Sequence, residues 1–308
     1  MIFGSASALT YFILKIKQVM GKQLKKLLLL QKIQIIRYMK RFLFASLAAL
    51  LMAGHAGAQQ DTTFVTIQTN VGTMKARLYD DVPGHVRAFI ARAEKGEYDG
   101  TLFTRVIENF MIQGGAPDSR NALPGRRCGF GDRSAEIPPE MNPKYFHKRG
   151  ALAAPRQPDE INPERKSDMS QFFIVQGKVY RGGELDTLEK VKNYPARKRA
   201  LQEFYYPVKT TLDSLRKADA MEYNKWVVSI NAKIDSVVQA YPDHLIFTPE
   251  QRAAYTTVGG SHHLDGYYTI YGELTEGFDV LDLIASQKKD RYDRPVKDIR
   301  IIKVSVEK

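Results

Sequence analysis

Cysteine is almost absent from this chain, since Cys128 is the single one in 308 residues. One thiol cannot form an intrachain disulfide, and a zinc site built from several cysteines is excluded for the same reason. Long apolar runs are also missing. The clear one, residues 42–53, has 12 residues, whereas a membrane-spanning helix needs about 20. The pattern therefore does not predict a transmembrane anchor.

Acidic residues are absent from residues 1–58, which hold nine Lys and Arg. The other 250 residues carry 37 basic and 34 acidic side chains, so most of the chain's net charge of +12 lies in this leader. A protein that binds nucleic acid through a basic surface needs that charge in its folded domain. The sequence therefore excludes an electrostatically driven nucleic-acid binder.

The leader has the order of a secretory signal peptide over residues 39–58. Lys40 and Arg41 precede the apolar run, and Ala56 and Ala58 follow it with the spacing of a cleavage site. We expect cleavage after Ala58 and export, with the periplasm of a Gram-negative envelope as the destination and no stable membrane anchor afterwards. A membrane-tethered scaffold would require an uncleaved leader. Translation could begin at Met1, Met20 or Met39.

Short alternating segments follow the leader. Residues 64–69 and 73–79 predict a β-hairpin, and Pro83 opens a helix that Gly96 should end. Further strands are predicted at residues 102–107, 110–113, 172–175, 268–271 and 299–306, with a helix at 278–285. Many short strands with two helices favour a mainly β domain, a closed antiparallel barrel formed by residues 59–177 and 259–308.

Residues 178–258 differ, because their apolar residues recur at helical spacing. This segment predicts an α-helical insertion. Pro195 should break or kink one of its helices, and Thr248-Pro249-Glu250-Gln251 is typical of a helix start. Both ends of the insertion adjoin segments that we assign below to one pocket. It should therefore emerge beside a substrate groove.

Three blocks of residues carry the functional signal. The first runs from Phe103 to Gly115 as FTRVIENFMIQGG, the second is SQFFI at 170–174, and the third is HLDGYYTIYG at 263–272. In this order and spacing they resemble the signatures of the cyclophilin family of peptidyl-prolyl isomerases. The resemblance covers about 170 residues and leaves out the leader and the insertion. It implies an eight-stranded antiparallel barrel with a helix closing each end.

The resemblance also implies the roles of nine residues. Arg105 would be the catalytic cation, and Gln113 beside it would bind substrate backbone and help hold the guanidinium. An apolar pocket would grip the proline ring, and two residues would bind the peptide on the acyl side. Taken singly, these side chains could be ordinary core or surface residues, but their spacing favours function. The remaining substrate-binding positions are Phe110, Met111, Arg156, Gln171, Phe173, Leu264 and Tyr268.

The implied activity needs neither cofactor nor metal, and His262-His263 lacks accompanying ligands. We expect proline-containing peptides and unfolded proteins as partners. Pro155 and Asp168-Met169 depart from the family pattern beside the groove, and Pro155 removes a backbone donor. The alternative to an isomerase that assists the folding of exported proteins is thus a non-catalytic, proline-peptide-binding chaperone module.

Overall fold

The computed structural model describes residues 63–307. The predicted leader and signal peptide therefore lie outside the described residues. Residues 63–307 contain ten strands: β1 (Phe64–Thr69), β2 (Gly72–Leu78), β3 (Phe103–Ile107), β4 (Met111–Gly114), β5 (Glu136–Ile137), β6 (Ala151–Ala153), β7 (Ser167–Asp168), β8 (Phe172–Val175), β9 (Ile270–Glu276) and β10 (Ile301–Glu307).

The α-helices of the described residues fall into two groups. Two belong to the β-rich part, and four lie between β8 and β9, within the segment predicted as a helical insertion. The helices are α1 (Pro83–Glu94), α2 (Gly182–Phe204), α3 (Lys209–Ala218), α4 (Ala220–Gln239), α5 (Pro249–Thr257) and α6 (Phe278–Ala285).

Eight of the strands form one antiparallel sheet in the order β10-β1-β2-β9-β6-β8-β4-β3. β5 and β7 form a separate two-stranded sheet. Alternation in the sequence sets which face is buried, as in β1, where Val65, Ile67 and Thr69 are buried. The two-residue loop Asn70-Val71 joins β1 to β2 as the predicted hairpin. The mainly β architecture is confirmed.

The predicted closure of the barrel is wrong, because the ladder is open between β3 and β10. These strands meet only at their beginnings, through one bridge between Leu102 and Arg300 and the flanking backbone hydrogen bonds. From that bridge the two strands run in opposite directions, so β3 continues beside the segment before β10, where Val106 N–H donates to the Asp293 carbonyl at 2.8 Å. The sheet is therefore an open half-barrel.

One hydrophobic cluster covers the buried face of the sheet and includes residues of both flanking helices. Phe89 of α1 stacks on Tyr98 at 5.1 Å and meets the edge of Phe172 at 5.8 Å, and Leu281 and Ile284 of α6 are fully buried in the same cluster. α1 ends as predicted, with Gly96 at φ 67° donating its N–H to the Ala93 carbonyl. This core fixes the strands that carry the candidate site.

The helical segment between β8 and β9 has its own apolar contacts. Of the break or kink predicted at Pro195, the break is absent, since α2 continues from Gly182 to Phe204. A proline inside a helix removes one backbone donor and crowds the carbonyl four residues before it, and packing of neighbouring residues such as the buried Ala196 and Ala200 can offset that cost. α5 begins at the predicted capping box, in which Thr248 and Gln251 exchange hydrogen bonds.

Within residues 63–307, no helix is long and apolar enough to cross a membrane.

Candidate active site

All nine residues singled out from the sequence line a single cavity of about 240 Å³. They come from four separate parts of the chain, so the fold brings together what the sequence keeps apart. Their functional roles stay predictions. The cavity is lined by Arg105, Phe110, Met111, Gln113, Arg156, Gln171, Phe173, Leu264 and Tyr268, together with Gly129, Pro155, Gln157 and Asp168.

One side of the cavity, here named the strand wall, consists of Arg105, Met111, Gln113 and Phe173. These residues lie on β3, β4 and β8, whose register pairs Arg105 with Gln113 and Gln113 with Phe173. Val106 and Ile112, their neighbours in sequence, are fully buried in the core. Because side chains alternate along a strand, burying those neighbours turns Arg105 and Gln113 towards the cavity.

Arg105 is only partly shielded, with 45% of its side chain exposed. Its guanidinium lies 5.9 Å from the centroid of the Phe110 ring. Its nearest carboxylate contact joins Nε to Asp293 Oδ2 at 3.7 Å, which is too long for a hydrogen bond. The N–H groups therefore remain free to donate to a bound ligand.

A chain of amide hydrogen bonds runs beside Arg105. Asp168 Oδ2 accepts from Gln171 Nε2 at 2.9 Å, and Gln171 Oε1 accepts from Gln113 Nε2 at 3.1 Å. Asp168 and Gln171 are both buried. The Asp168 carboxylate can only accept hydrogen bonds, so the NH₂ group of Gln171 faces Asp168 and its carbonyl oxygen faces Gln113. The Gln113 carboxamide is thereby held by Gln171.

The opposite side, here named the loop wall, is residues 261–268. Leu264 is 6% exposed, and the Tyr268 ring meets the Phe173 ring edge-on at 5.8 Å. These rings and Met111, which is 2% exposed, form an apolar cup that faces Arg105.

Asp265, a residue of the loop wall, ties this wall to neighbouring segments by hydrogen bonds. Its Oδ1 accepts from the backbone N–H of His147 at 2.7 Å, and its Oδ2 accepts from the Tyr255 hydroxyl at 2.5 Å and from Gln251 Nε2 at 3.4 Å. Tyr255 and Gln251 belong to α5, so the helical segment between β8 and β9 reaches the cavity through this carboxylate.

His147 connects Asp265 to the proline cup. Its ring is fully buried, stacks on Phe173 at 6.0 Å, and contacts Asp265 Oδ1 through Nδ1 at 3.0 Å. Burial lowers the pKa of His147, and the hydrogen bond that its ring makes to the Asp265 carboxylate opposes that shift. The ring is therefore held in its neutral form near neutral pH.

Arg156 lies at the edge of the cavity with its side chain 5% exposed. Its Nε donates to the Tyr267 carbonyl at 2.8 Å, and its guanidinium lies 5.0 Å from the centroid of the Tyr268 ring. Asp159 pairs with Nη1. The side chain thus ties the groove edge to the loop wall, which leaves the backbone as the part that could bind peptide.

The departures from the family pattern have structural roles. The Pro155 carbonyl accepts from the Asp168 N–H at 2.8 Å, which links the two sides of the groove edge. Met169 is fully buried and its carbonyl accepts from the Tyr98 hydroxyl at 2.7 Å. Met169 therefore faces the core, while Asp168 faces the cavity.

Sequence reasoning missed the supporting residues Asp265, His147 and Tyr255, and it noted Asp168 only as a departure from the family pattern beside the groove. Asp265 stands inside the third motif, so its position was a usable signal. Nothing in the spacing of Tyr255 or His147 indicates that both contact one carboxylate, because that requires the folded path of α5. Within the described part of the chain, no group of three or more His, Cys, Asp or Glu is placed to hold a metal ion.

Comparisons with known proteins show the family of this chain. The family model described as "Cyclophilin type peptidyl-prolyl cis-trans isomerase/CLD" matches residues 64–194 and 254–306. The "Putative peptidyl-prolyl cis-trans isomerase" of Staphylococcus haemolyticus is 28% identical over 253 residues, covering 81% of this chain and 93% of that protein.

Two further matches show the range of related proteins. The "Putative bifunctional phosphatase/peptidyl-prolyl cis-trans isomerase" of Streptococcus pyogenes is 29% identical over 79% of this chain, which spans only 38% of that protein's length. A solved cyclophilin-type isomerase of Cryptosporidium parvum, studied in the presence of the dipeptide Ala-Pro, has a TM-score of 0.45 and 18% identity, covering 80% of this chain and 99% of that one. Because the family model matches more than half of the chain in two ordered segments, this protein belongs to the cyclophilin-type peptidyl-prolyl cis-trans isomerases.

Proposed function

We propose that this isomerase acts on proline-containing segments of exported proteins and that Arg105 is its catalytic residue. One observation carries the proposal: a guanidinium with free donors faces an apolar cup of Met111, Phe173, Leu264 and Tyr268 across one cavity. A proline ring fits the cup, and the prolyl nitrogen then lies on the side of the cation.

The reaction requires electrostatic stabilisation of its transition state and involves no covalent step. Rotation about an X-Pro bond is opposed by about 18–20 kcal/mol, because the C–N bond has partial double-bond character. Twisting the bond removes that conjugation and localises a lone pair on the prolyl nitrogen. A fixed cationic donor stabilises this lone pair more than it stabilises the planar ground state. Arg105 supplies such a donor.

Gln113 positions the substrate in this proposal. Its Nε2 donates to Gln171 Oε1, which the Asp168 carboxylate orients. The Gln113 carbonyl oxygen then remains to accept an N–H from the peptide backbone. Holding one peptide unit beside the proline lets the other side of the X-Pro bond rotate.

Replacing Arg105 tests this assignment. We expect Arg105→Ala to lower kcat/KM for an Ala-Pro tetrapeptide by at least about tenfold, equivalent to about 1.4 kcal/mol of transition-state stabilisation. Arg87, an exposed arginine on α1, provides the matched control, and Arg87→Ala should keep the wild-type rate. A protease-coupled assay with circular dichroism measures rate and fold together.

Two results would argue against the proposal. An unchanged rate in a folded Arg105→Ala variant would show that the catalyst is another residue. A wild-type protein that binds proline peptides without isomerising them would favour the non-catalytic chaperone module.

The proposal of export rests on the basic leader, its apolar run and the alanine spacing before Gln59. N-terminal sequencing of the protein from its native host should find Gln59 as the first residue. A mature chain that still contains residues 42–53 would contradict the periplasmic location.

A further inference from the structure

A second cavity of about 320 Å³ adjoins the proline cavity on the far side of Arg105. Arg105, Gln113 and Gly129 line both cavities, so the two are direct neighbours. The remaining lining comes from Thr104, from residues 127–130 and from the turn at residues 291–293. None of these additional residues was assigned a role by the sequence motifs.

The charge of this second cavity is positive. Its lining contains Arg105, Arg127 and Arg291 but one carboxylate, Asp293. That carboxylate already contacts Lys289 at 2.7 Å and Arg105 at 3.7 Å. Among residues 63–307, no carboxylate forms an ion pair with Arg127 or Arg291. Two guanidinium groups therefore line the cavity without a neutralising partner.

Aromatic rings hold these two guanidinium groups. Arg127 lies 5.2 Å from the centroid of Phe130 and 5.8 Å from that of Tyr292, and Arg291 lies 4.8 Å from Tyr292. Stacking on a ring restrains an arginine while leaving its in-plane N–H groups free. The donors of both residues are thus available for a ligand.

The loop that carries Arg127 is fixed by buried charge. Arg294, which is 2% exposed, donates to the carbonyls of Leu123 at 3.0 Å and Arg126 at 2.7 Å, and pairs with Asp298.

On the other side of Arg127, Asp118 Oδ2 accepts from the N–H groups of Gly129 at 2.9 Å and Phe130 at 3.3 Å. Anchors on both sides of Arg127 reduce the ordering cost that a ligand would otherwise meet.

We infer that this second cavity is a subsite for an acidic side chain of the polypeptide substrate, placed within about three residues of the isomerised proline. The inference rests on the proposed function, since it extends the same bound peptide past Arg105. A planar carboxylate matches the fork of a guanidinium. An extended peptide advances about 3.3–3.6 Å per residue, so a side chain two or three positions from the proline can reach a neighbouring cavity.

Matched peptides test the subsite. The full-length protein is assayed with pairs of proline peptides, four to six residues long, whose two members differ only by Glu or Gln at one position. Across the pairs, that position moves from three residues before the proline to three residues after it. Because Arg127 and Arg291 are exposed, we expect the wild type to favour Glu over Gln at one position by about two- to fivefold in kcat/KM, the range for exposed charge pairs. The preference should shrink as salt is raised from about 0.05 to 0.5 M.

Variants assign that preference to the cavity. Arg127→Gln combined with Arg291→Gln should bring the Glu-to-Gln ratio to about one. A control with the same loss of charge, Lys297→Gln combined with Lys303→Gln, alters exposed residues that do not line the cavity and should keep the wild-type ratio.

Equal kcat/KM for Glu and Gln at every position, with an active wild type, would overturn the subsite and leave the proposed function intact. A preference that survives the double arginine variant would also overturn it. If the wild type isomerises neither peptide, the proposed function fails, and the subsite is then judged by peptide Kd, where equal values for Glu and Gln overturn it.

Discussion

The two walls of the proline cavity are built in different ways. The strand wall is held by backbone pairing, in which Arg105 faces Gln113 and Gln113 faces Phe173 in adjacent strands. The loop wall has no ladder and depends on side chains that converge on Asp265. A backbone ladder tolerates many side-chain changes, whereas a wall held by one carboxylate is sensitive to single substitutions.

The origin of these supports also differs. The strand wall comes from segments within the β-sheet, so its support lies in the sheet itself. The loop wall is supported by Tyr255 and Gln251 of α5, the last helix before residues 261–268. Tyr255 in turn packs against Phe247 and Tyr180 at ring distances of 5.8 and 6.0 Å. The helical segment is therefore connected to the groove through Asp265.

The strongest test of this comparison removes the carboxylate of the loop wall. We expect Asp265→Ala to reduce stability by about 2–4 kcal/mol, because the buried His147 N–H and the Tyr255 hydroxyl lose their acceptor. For a domain of this size that lowers Tm by roughly 5–10 °C. Peptide kcat/KM should fall about tenfold, mainly through a higher KM. Thermal melting and steady-state kinetics provide both values.

Asp80→Ala is the control for that substitution, since Asp80 is an exposed aspartate outside both walls. Its Tm and KM should stay at wild-type values. A wild-type KM in the Asp265→Ala variant would mean that the loop wall holds its shape without the carboxylate.

A smaller change isolates the contribution of α5. Tyr255→Phe keeps the ring in its aromatic cluster but removes the hydroxyl that donates to Asp265. Losing one hydrogen bond to a charged acceptor should cost about 1–2 kcal/mol. KM should rise about two- to threefold with kcat unchanged, because Leu264 and Tyr268 grip the substrate while Arg105 lies on the other wall.

Tyr180→Phe removes a hydroxyl from the same cluster, where Tyr180 is 6% exposed, without a bond to Asp265. It should leave KM unchanged. Equal effects of the two tyrosine substitutions would show that α5 acts through general packing and not through Asp265.

The contrast between the walls also explains what the sequence could predict. Strand alternation predicted the strands that carry Arg105, Gln113 and Phe173, and the family resemblance singled out these three residues within them. Leu264 and Tyr268 were found only through the family resemblance. Their support by Asp265, His147 and Tyr255 depends on how distant segments pack, and no local pattern encodes that.

The open edge of the sheet has a similar cause. Strand count and alternation predicted a closed barrel, yet closure requires that β3 and β10 overlap along their lengths. They overlap only near Leu102 and Arg300. Register between the ends of a sheet is set by the path of the intervening chain, which periodicity does not reveal.

The mildest expected effect is a response to pH that separates the two walls. His147, His262 and His263 lie in or directly behind the loop wall, and burial lowers the pKa of each. The strand wall contains no histidine. A lowered pKa means that the folded protein holds the neutral ring while the unfolded chain takes up a proton near pH 6.5. The unfolded state then binds more protons, so stability falls as pH decreases below about 6.5.

We therefore expect these histidines to leave Tm constant from pH 8 to 7 and to lower it progressively between pH 6.5 and 5. His147→Gln should reduce the slope of Tm against pH even if it lowers Tm throughout, since the most buried ring of the three no longer titrates. His244, which is exposed, gives the control variant His244→Gln, whose slope should match the wild type. His85 on α1 also has a pKa lowered by burial, so a residual slope is expected in every variant. A His147→Gln slope equal to that of the wild type would place the acid sensitivity outside the loop wall.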